Sequence, residues 1–276
     1  MIKLSIITIN YNNKAGLQKT IDSVITQTFK DFEWIIIDGG STDGSKELIE
    51  QYSQHITYWV SEPDNGIYHA MNKGILFAQG EYLLFLNSGD WLIGTNIVEQ
   101  AFPFMNNVDF VYGALQMVKK DGNIRIWDIP IDSVTGELFL NSTMPHPATF
   151  IKKEKLLQYG GYDESYKIAA DWKFFMDAIL FGNSSFKKMP FVVSVFSEDG
   201  ISSTQVTQVK LERQRGIEQT WSNILIKDYK KHRMTIDNEL VVLALKVYKT
   251  NRYMRTIARY TMTVLVTIHS LFKRTN

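Results

Sequence analysis

Hydrophobic positions in the first ninety residues fall into four short runs separated by helix-length segments. Each run has the length of a strand and is rich in Ile, Val, Tyr or Trp: Leu4–Ile9, Phe32–Ile37, Ile56–Val60 and Tyr82–Leu86. The second and fourth runs are apolar nearly throughout, which is typical of strands buried on both faces. Three intervening segments repeat apolar residues at helical spacing: Gly16–Phe29, Ser45–Tyr52 and Ile67–Ala78. This alternation predicts an α/β fold with a mostly parallel sheet.

The pattern changes after Trp91. Val108–Val118 and Asn123–Trp127 flank the sequence Lys-Lys-Asp-Gly, which predicts a hairpin. A loop-rich stretch is expected up to about Met144, followed by three further elements: a strand at Ala148–Ile151, a helix near Ala170–Leu180 and a strand near Phe191–Phe196. From about Val206 the pattern is helical to the end. We therefore expect a domain of residues 1–205 and a helical region of residues 206–276.

Composition bounds the size and the setting of this fold. The 276 residues are 45% hydrophobic and 13% aromatic, enough for one large core with a smaller appendage. The absence of cysteine excludes disulfides and thiolate metal sites. The start of the chain, MIKLSIITINYNN, lacks a small-residue cleavage site and is better interpreted as a first strand than as a signal peptide. A cytoplasmic location is expected.

The net charge of +1 conceals an asymmetry. Residues 227–276 contain 11 Lys/Arg and 3 Asp/Glu, a net charge of +8, so the remainder carries −7. The basic region could contact nucleic acid or an anionic membrane, whereas an acidic body that binds anions would need a metal ion.

Polar residues follow each of the four early strands directly. They are Asn10 after the first, Asp38 after the second, Glu62 and Asp64 after the third, and Asn87 to Asp90 after the fourth. Parallel strands bring their carboxyl ends to one edge of the sheet, where ligands of open α/β folds bind. The aspartates at 38, 64 and 90 should therefore converge. Asp and Asn are also common wherever strands pass into loops, so any one of them alone has that simpler explanation.

Two common nucleotide-binding motifs are missing. NYNNKAG after the first strand lacks the dinucleotide-binding glycine pattern, GGSTDG at 39–44 has the wrong spacing, and there is no Walker lysine motif. A dehydrogenase or a P-loop enzyme is therefore disfavoured. Without a phosphate-cradling loop, a diphosphate would need a metal ion, and Mg²⁺ commonly binds through one or two carboxylates plus substrate phosphates.

Six sequence motifs in order resemble one family. They are IITINYNN, WIIIDGGSTDGS, SEPDNGIYHAMNKG, EYLLFLNSGD, MPHPATF and GGYDESYKIAADWKFF. Together with the DGISS turn they are similar to the family 2 inverting glycosyltransferases of GT-A fold, especially bacterial enzymes of surface-polysaccharide assembly such as those for colanic acid. The resemblance covers roughly residues 3–204. It implies a GT-A-type mixed, mostly parallel sheet flanked by helices, with a C-terminal helical extension.

The resemblance also implies roles for particular residues. Asp38 would contact the nucleotide base, and the expected donor-binding residues are Asn10, Asp38, Asp64, Asn87 and His146. Asn87-Ser88-Gly89-Asp90 stands in the place of the family's Asp-x-Asp motif, so Asp90 is the expected ligand of Mg²⁺ or Mn²⁺. Here Asn87 and Gly89 stand where acids often stand, and Asp90 is the acidic residue that is kept.

Asp171 matches the catalytic base of the family. Inverting transfer is a single displacement in which the acceptor hydroxyl loses its proton as it attacks, so one carboxylate must face the sugar. The alternative is an aspartate that only stabilises the start of a helix.

Other residues keep two interpretations. Asp43 is either a site residue or a helix cap, and Trp172 either stacks on a sugar or belongs to the core. His69 is expected at the surface or in a supporting position. Ser197–Ser203, with Gly200, is expected to form a mobile loop over the donor.

The basic region contains an amphipathic segment, Met254–Phe272. Its longest weakly polar run, 260–272, is too short to span a bilayer. It is interpreted either as a helix lying on an anionic membrane, which would suit a lipid-linked glycan acceptor, or as a helix packed on protein.

The resemblance therefore implies a metal-dependent glycosyltransferase that uses a nucleotide-sugar donor and acts in cell-surface polysaccharide biosynthesis. Contact of the basic region with a membrane would place it at the cytoplasmic face of the inner membrane. Two rivals stay open. One is a non-catalytic scaffold that binds sugar nucleotides, and the other is a nucleic-acid-binding protein, which is disfavoured because no RNA-binding aromatic motif is present.

Overall fold

A computed structural model describes residues 2–119, 121–197, 200–222 and 225–227, except for the side chains at 201 and 202. The chain divides into two units, Met1–Ile217 and Glu218–Asn276. Of the second unit, 218–222 and 225–227 are described. The amphipathic segment Met254–Phe272 lies outside the described residues. The predicted division at residue 205 therefore stays a prediction.

The first half of the chain alternates strands and helices as the hydrophobic pattern predicts. The elements are β1 Leu4–Asn10, α1 Lys14–Ile25, β2 Glu33–Asp38, α2 Ser45–Gln51, β3 Tyr58–Ser61, α3 Ile67–Phe77 and β4 Tyr82–Phe85. All residues of β1, β2 and β4 are buried, because helices cover both faces of this part of the sheet. The four strands lie in the order β3-β2-β1-β4 and are parallel to one another. Their carboxyl ends consequently share one edge.

The second half adds shorter helices and longer strands. The elements are β5 Trp91–Leu92, α4 Ile97–Ala101, β6 Phe110–Val118, β7 Ile124–Trp127, α5 Gly136–Asn141, β8 Thr149–Lys152, α6 Lys153–Gln158, α7 Ala170–Met176, β9 Phe186–Ser197, α8 Ile201–Thr204 and α9 Val206–Thr220. Among the described residues, nine strands form one sheet of order β3-β2-β1-β4-β8-β6-β9-β5, with β7 paired to β6. The predicted hairpin is confirmed as β6 and β7, which pair antiparallel. The predicted α/β class with a mixed sheet flanked by helices is confirmed.

Close packing of α3 against the sheet depends on one glycine. A Cβ atom at Gly74 would lie 2.6 Å from Cγ2 of Ile7 in β1, so a side chain at this position would push the helix away. The close approach holds α3 against β1. The helix buries Tyr68 and Met71 on the same side.

Three local predictions differ from the structure. The stretch expected to be a loop contains α5, whose Phe139 is buried and whose carbonyl accepts a hydrogen bond from Trp172 Nε1 at 2.7 Å. Strand β9 begins at Phe186 and not near Phe191, since pairing with β6 includes an irregular register that accommodates Pro190. The helix expected to reach Leu180 is α-helical to Met176 and then forms a π turn, Asp177–Phe181.

No helix in the described part of the chain is both long and apolar enough to cross a membrane.

Candidate active site

A cavity of about 790 Å³ lies at the carboxyl edge of β1 to β4 and is called here the strand-end cavity. The loops after these strands form its walls, because parallel strands end together. The polar residues predicted at 10, 64, 87 and 90 all line it. The full lining is Ile9, Asn10, Tyr11, Asn13, Gly39, Pro63, Asp64, Gly66, Ile67, Ala70, Asn87, Ser88, Gly89, Asp90, Phe196, Ser197 and Gly200.

Asp38 lies behind this cavity and is fully buried. Its Oδ1 accepts hydrogen bonds from Asn10 Nδ2 at 2.7 Å and from Ser41 Oγ at 2.6 Å. Its Oδ2 accepts from Ser61 Oγ at 2.6 Å and from the Ser41 amide at 2.9 Å. Burial acts to raise the pKa of Asp38, but the bonds from Ser41, Ser61 and Asn10 outweigh it, and the net pKa is lowered. The carboxylate stays charged and holds the ends of β1, β2 and β3 together.

The surroundings of Asp38 therefore differ from those expected of a residue that contacts the donor nucleotide. A carboxylate has about four acceptor positions, and all are used within the protein. It is not among the residues that line the strand-end cavity. Its predicted contact with a nucleotide base stays a prediction. In this structure the carboxylate orients Asn10, which is itself 3% exposed and has a buried Oδ1 without a hydrogen-bond partner in the described residues.

Asp43 ties two loops together and lines neither cavity. Its Oδ2 accepts from the Lys14 amide at 2.7 Å, and its Oδ1 accepts from the Ser45 hydroxyl at 2.6 Å and the Ser45 amide at 3.0 Å. It thus connects the start of α1 to the start of α2. Gly44 is the N-cap of α2, so these bonds favour a structural role of Asp43 next to the helix start over a role in the site.

Three polar residues in the loop after β3 and in the first turn of α3 have different surroundings. Asp64 lines the strand-end cavity, and its Oδ1 accepts from the Gly66 amide at 2.8 Å, which shapes the turn into α3. Glu62 is exposed and pairs with Lys73. His69 lines neither cavity and accepts weakly from the Asn65 amide at 3.4 Å. The loop therefore contributes Asp64 to the site.

Asn72, on α3, exchanges two hydrogen bonds with the backbone of Tyr162. Its Nδ2 donates to the Tyr162 carbonyl and its Oδ1 accepts from the Tyr162 amide, both at 2.8 Å. This residue attaches α3 to the segment before α7.

Asn87 and Asp90 stand between the strand-end cavity and a second cavity. Asp90 is 6% exposed, its amide donates to the Asn87 carbonyl at 2.9 Å, and its own carbonyl accepts from Thr20 Oγ1 at 2.7 Å. Gly89 between them has φ of +102°, a conformation that glycine adopts without strain. Asn87 has a buried Oδ1 without a hydrogen-bond partner in the described residues. The turn therefore holds an amide oxygen and a carboxylate at the border of two cavities.

The second cavity, of about 620 Å³, is called here the α7 cavity. It lies between the β6–β7 hairpin, α7 and α9. Ile67, Asn87, Asp90 and Phe196 line both cavities, so the two are adjacent. The remaining lining is Tyr68, Met71, Leu115, Met117, Arg125, Ile126, Trp127, Asp128, Ser142, Thr143, Met144, His146, Pro147, Ile168, Ala169, Asp171, Trp172, Ser203, Val209 and Arg213.

Asp171 stands in the first turn of α7 and is held by a buried tyrosine. The Tyr68 hydroxyl donates to Asp171 Oδ1 at 2.8 Å. Burial, and then the charge and hydrogen bond of Asp171, raise the pKa of Tyr68 well above its ordinary value, so the phenol keeps its proton. One carboxylate oxygen is therefore occupied, and the carboxylate is oriented within the cavity.

His146 belongs to a cluster of aromatic rings behind Asp171. Its ring stacks on Phe85 with centroids 5.1 Å apart, and its Nε2 is 2.9 Å from the Tyr162 hydroxyl. Burial lowers the pKa of His146, and the charge of Asp171 opposes this only partly. The imidazole is therefore neutral at neutral pH. It lines the α7 cavity and not the strand-end cavity in which a donor nucleotide is expected.

Trp172 is a core residue. It is 1% exposed, and its Nε1 donates to the Phe139 carbonyl. Gly216 of α9 packs directly against it, because a Cβ atom there would lie 2.6 Å from the ring. The alternative in which Trp172 stacks on a sugar is disfavoured. Trp127, which is partly exposed, is an aromatic ring of the α7 cavity that remains accessible.

Glu212 anchors α9 beside the site. It is 5% exposed and accepts hydrogen bonds from the backbone amides of Lys167 at 2.9 Å, Ile168 at 3.0 Å and Ala169 at 3.0 Å. Burial acts to raise the pKa of Glu212, but these bonds and one from Gln208 lower it overall. The anchor places Arg213 in the same cavity as Asp171.

The residues present fit a metal ion that is held mainly by substrate oxygens. The described residues contain no group of three or more His, Asp or Glu side chains arranged to hold an ion. Asp90 and the unpartnered Asn87 Oδ1 offer two oxygens at the junction of the cavities. A diphosphate would have to complete the coordination of Mg²⁺ or Mn²⁺.

Five site residues were missed by the sequence analysis. They are Tyr11, Tyr68, Trp127, Glu212 and Arg213. Tyr68 and Arg213 lie in helices whose periodicity indicates burial but not the neighbouring carboxylate. The sequence contains a signal for Tyr11, since this residue directly follows Asn10 at the end of a strand. Ser197 and Gly200 of the expected mobile loop line the strand-end cavity, whereas residues 198–199 lie outside the described part of the chain.

Comparison with known proteins points to one family. Residues 5–168 match the model of Glycosyl transferase family 2. An uncharacterized glycosyltransferase of Mycobacterium tuberculosis is 36% identical over 186 residues, covering 64% of this chain and 69% of the relative. A PGL/p-HBAD biosynthesis glycosyltransferase of Mycobacterium bovis is 30% identical over 218 residues, covering 76% and 82%.

Solved structures support the fold. TarS of S. aureus in complex with UDP-GlcNAc has a TM-score of 0.63 at 18% identity, covering 93% of this chain and 79% of that one. A mannosyltransferase of Pyrobaculum calidifontis in complex with GDP-Man and Mn²⁺ has a TM-score of 0.53 at 18% identity, covering 70% and 56%. Since the family model matches more than half of the chain and both relatives are named glycosyltransferases, this chain belongs to glycosyltransferase family 2 and has the GT-A fold.

Proposed function

We propose that the protein is an inverting glycosyltransferase that moves a sugar from a nucleotide-diphospho-sugar to a hydroxyl group of a glycan acceptor. The observation that carries this proposal is the adjacency of the two cavities. They share Asn87 and Asp90, and Asp171 lines the α7 cavity. A donor in the strand-end cavity would present its sugar at the shared border, and an acceptor in the α7 cavity would face it.

The strand-end cavity suits a nucleotide. Asn10 and Asp64 supply polar contacts, and Tyr11, which is 67% exposed at the cavity, supplies an aromatic face for a base. Two structural neighbours bind UDP-GlcNAc and GDP-Man, respectively. These neighbours support a nucleotide-diphospho-sugar as the donor, but they do not identify its sugar or its base.

Asp90 and Asn87 are the proposed ligands of Mg²⁺ or Mn²⁺. When bound, the ion would offset the negative charge that develops on the diphosphate leaving group. The mannosyltransferase neighbour contains Mn²⁺.

Asp171 is the proposed general base. The acceptor oxygen forms a bond to the anomeric carbon while the bond from that carbon to the diphosphate oxygen breaks, and the electron pair leaves with the diphosphate. The acceptor proton passes to Asp171. Tyr68 occupies Oδ1 of the carboxylate, so Oδ2 is oriented for this proton transfer. Because one displacement occurs, the anomeric configuration inverts.

The acceptor is proposed to be a lipid-linked glycan of cell-surface polysaccharide biosynthesis, handled at the cytoplasmic face of the inner membrane. The name of the M. bovis relative refers to PGL/p-HBAD biosynthesis, and residues 227–276 carry a net charge of +8. An anionic surface attracts such a region by about 1 kcal/mol per basic residue at low salt. The full chain should sediment with vesicles containing phosphatidylglycerol and not with neutral vesicles. Absence of sedimentation with the phosphatidylglycerol vesicles would contradict membrane contact, and equal sedimentation with both kinds of vesicle would contradict the role of the basic residues.

A non-catalytic scaffold that binds sugar nucleotides is the second candidate. It is favoured by the reduced Asn87-Ser88-Gly89-Asp90 motif and by the absence of a cluster of three acidic or histidine ligands in the described residues. Such a protein would bind the donor without turning it over.

A screen of nucleotide-sugars separates the two candidates. Melting temperatures are measured with each donor and Mn²⁺, because a ligand of the folded state stabilises it. Donors that raise the melting temperature are then tested for slow hydrolysis, with and without EDTA. We expect one base to be preferred and hydrolysis to require the ion. Binding without turnover would favour the scaffold, and turnover unaffected by EDTA would contradict the metal proposal.

A further inference from the structure

The α7 cavity contains a cation whose hydrogen-bonding capacity is not fully used. Arg213 lines the cavity, and its guanidinium lies 5.7 Å from the centroid of the Trp172 ring. Its Nε is buried and has no hydrogen-bond partner in the described part of the chain. Buried donors of native proteins are almost always paired, so an unpaired one at a cavity wall points to a ligand.

Contacts of α9 on both sides of Arg213 hold this residue in place. The neighbouring Glu212 accepts three backbone hydrogen bonds from Lys167–Ala169, and Gly216 packs against Trp172 one turn later. The helix is therefore fixed on both sides of Arg213. A guanidinium held in this way loses little further freedom when it binds two oxygens of a carboxylate or a phosphate.

The charges of the cavity change during the proposed reaction. Burial lowers the pKa of Arg213, and the charge of Asp171 opposes this shift. When Asp171 takes the acceptor proton it becomes neutral, and Arg213 loses that compensation. An anionic group brought by the substrate would replace it, since a buried cation is costly without a counter-charge.

We propose that Arg213 binds an anionic group, a phosphate or a carboxylate, on the acceptor. The inference rests on the proposed function, because it takes the α7 cavity as the acceptor site. Arg213 lines the α7 cavity and is not among the residues of the strand-end cavity. The anionic group is therefore distinct from the nucleotide of the donor. Thr143, whose buried Oγ1 also has no partner in the described residues, lines the same cavity and offers a hydroxyl to the acceptor.

The experiment uses the full chain, saturated with the nucleoside diphosphate selected by the donor screen. Calorimetric titrations are carried out with glycerol 3-phosphate, glucuronate and glucose. The first two distinguish a phosphate from a carboxylate, and glucose tests whether a neutral sugar suffices. Arg213→Gln removes the charge, and Arg213→Lys keeps the charge without the planar fork.

Arg215→Gln is the matched control. Arg215 stands on the same helix, also has a buried Nε without a partner in the described residues, and stacks on Tyr166 with its guanidinium 3.9 Å from the ring centroid. It lines neither cavity. Melting temperatures of all variants check that each one is folded.

We expect one of the two anions to bind the nucleotide-saturated protein. Its affinity should fall about tenfold or more in Arg213→Gln, less in Arg213→Lys, and less than about twofold in Arg215→Gln. Equal binding by Arg213→Gln, no binding by the wild type, or equal binding of glucose would overturn the inference. Displacement of the anion by the nucleotide would assign it to the donor site and would also overturn it.

The outcome separates this inference from the proposed function. Donor binding without turnover would reject the proposed sugar transfer even if anion binding followed Arg213. Normal donor turnover with unaltered anion binding in Arg213→Gln would reject only the inference.

Discussion

At the residue scale, Asp38 and Asp171 have different surroundings that explain different roles. Asp38 receives four hydrogen bonds within the protein and is fully buried. Among the described residues, Asp171 receives one from Tyr68, and it lines a cavity. A carboxylate whose acceptor positions are all used organises the backbone around it, whereas one with an open oxygen can accept a proton. The sequence places both aspartates correctly at the ends of elements but contains no signal for the number of donors around each one.

Replacement of Tyr68 by phenylalanine tests the orientation of Asp171. The variant removes one hydroxyl from a buried site and leaves the ring contacts of α3 in place. We expect turnover to fall by about 10- to 100-fold with little change in donor affinity, because a misplaced catalytic group costs rate more than binding. Turnover and donor Kd are measured on the same preparation. Tyr162→Phe is the control, since it removes a hydroxyl that contacts His146. Its turnover should fall less than that of Tyr68→Phe. Equal losses in both variants would reject the positioning role.

His146 predicts a pH dependence of stability. Burial lowers its pKa, so the folded protein keeps the imidazole neutral while the unfolded chain takes up a proton below about pH 6.5. The unfolded state then binds more protons, and stability falls as pH decreases from about 6.5 toward the folded pKa. Urea unfolding of wild type and His146→Gln at about pH 7.5 and 5.5 measures this. Between these two pH values, the free energy of unfolding should fall more in the wild type than in His146→Gln. The difference should be at most about 1.4 kcal/mol per pH unit. Parallel losses would show that His146 does not carry the effect.

At the element scale, α9 is as much a part of the site as the strand ends are. Its sequence is polar, with 15 residues that include Glu212, Arg213 and Arg215 and few apolar positions. The hydrophobic pattern therefore predicts a helix but not the face that packs on the segment before α7. Tertiary hydrogen bonds, which sequence periodicity does not report, decide that face. The same reason explains why α5 was expected to be a loop.

Glu212→Gln tests the anchoring of α9. Glutamine offers one acceptor oxygen, and its amide nitrogen would face a backbone donor that loses its partner. Leaving a buried donor unsatisfied costs about 1–3 kcal/mol, so the free energy of unfolding should fall by that amount. Urea unfolding measures it, with Glu154→Gln as control, since Glu154 is 77% exposed and forms an ion pair at 3.5 Å. The control should change by less than about 1 kcal/mol. A similar small change in Glu212→Gln would contradict the anchoring.

At the scale of the whole molecule, the parallel arrangement of β1 to β4 determines where the site lies. Residues far apart in the sequence, at 10, 64, 87 and 90, meet because these strands end at one edge. That convergence could be predicted from strand periodicity and from the polar residues that follow each run. The α7 cavity could not, since it depends on how the β6–β7 hairpin, α7 and α9 pack around it. The role of residue 171 was obtained from family resemblance.

The central claim is that one carboxylate in the α7 cavity deprotonates an acceptor while the donor occupies the adjacent cavity. Asp171→Asn is the most direct test, because it keeps the size of the side chain and removes its basicity. Donor affinity and turnover are measured for wild type and variant with the donor found by the screen. We expect a donor Kd within about twofold of wild type and turnover lower by about 10²–10⁴-fold. Near-normal turnover in Asp171→Asn would contradict the claim.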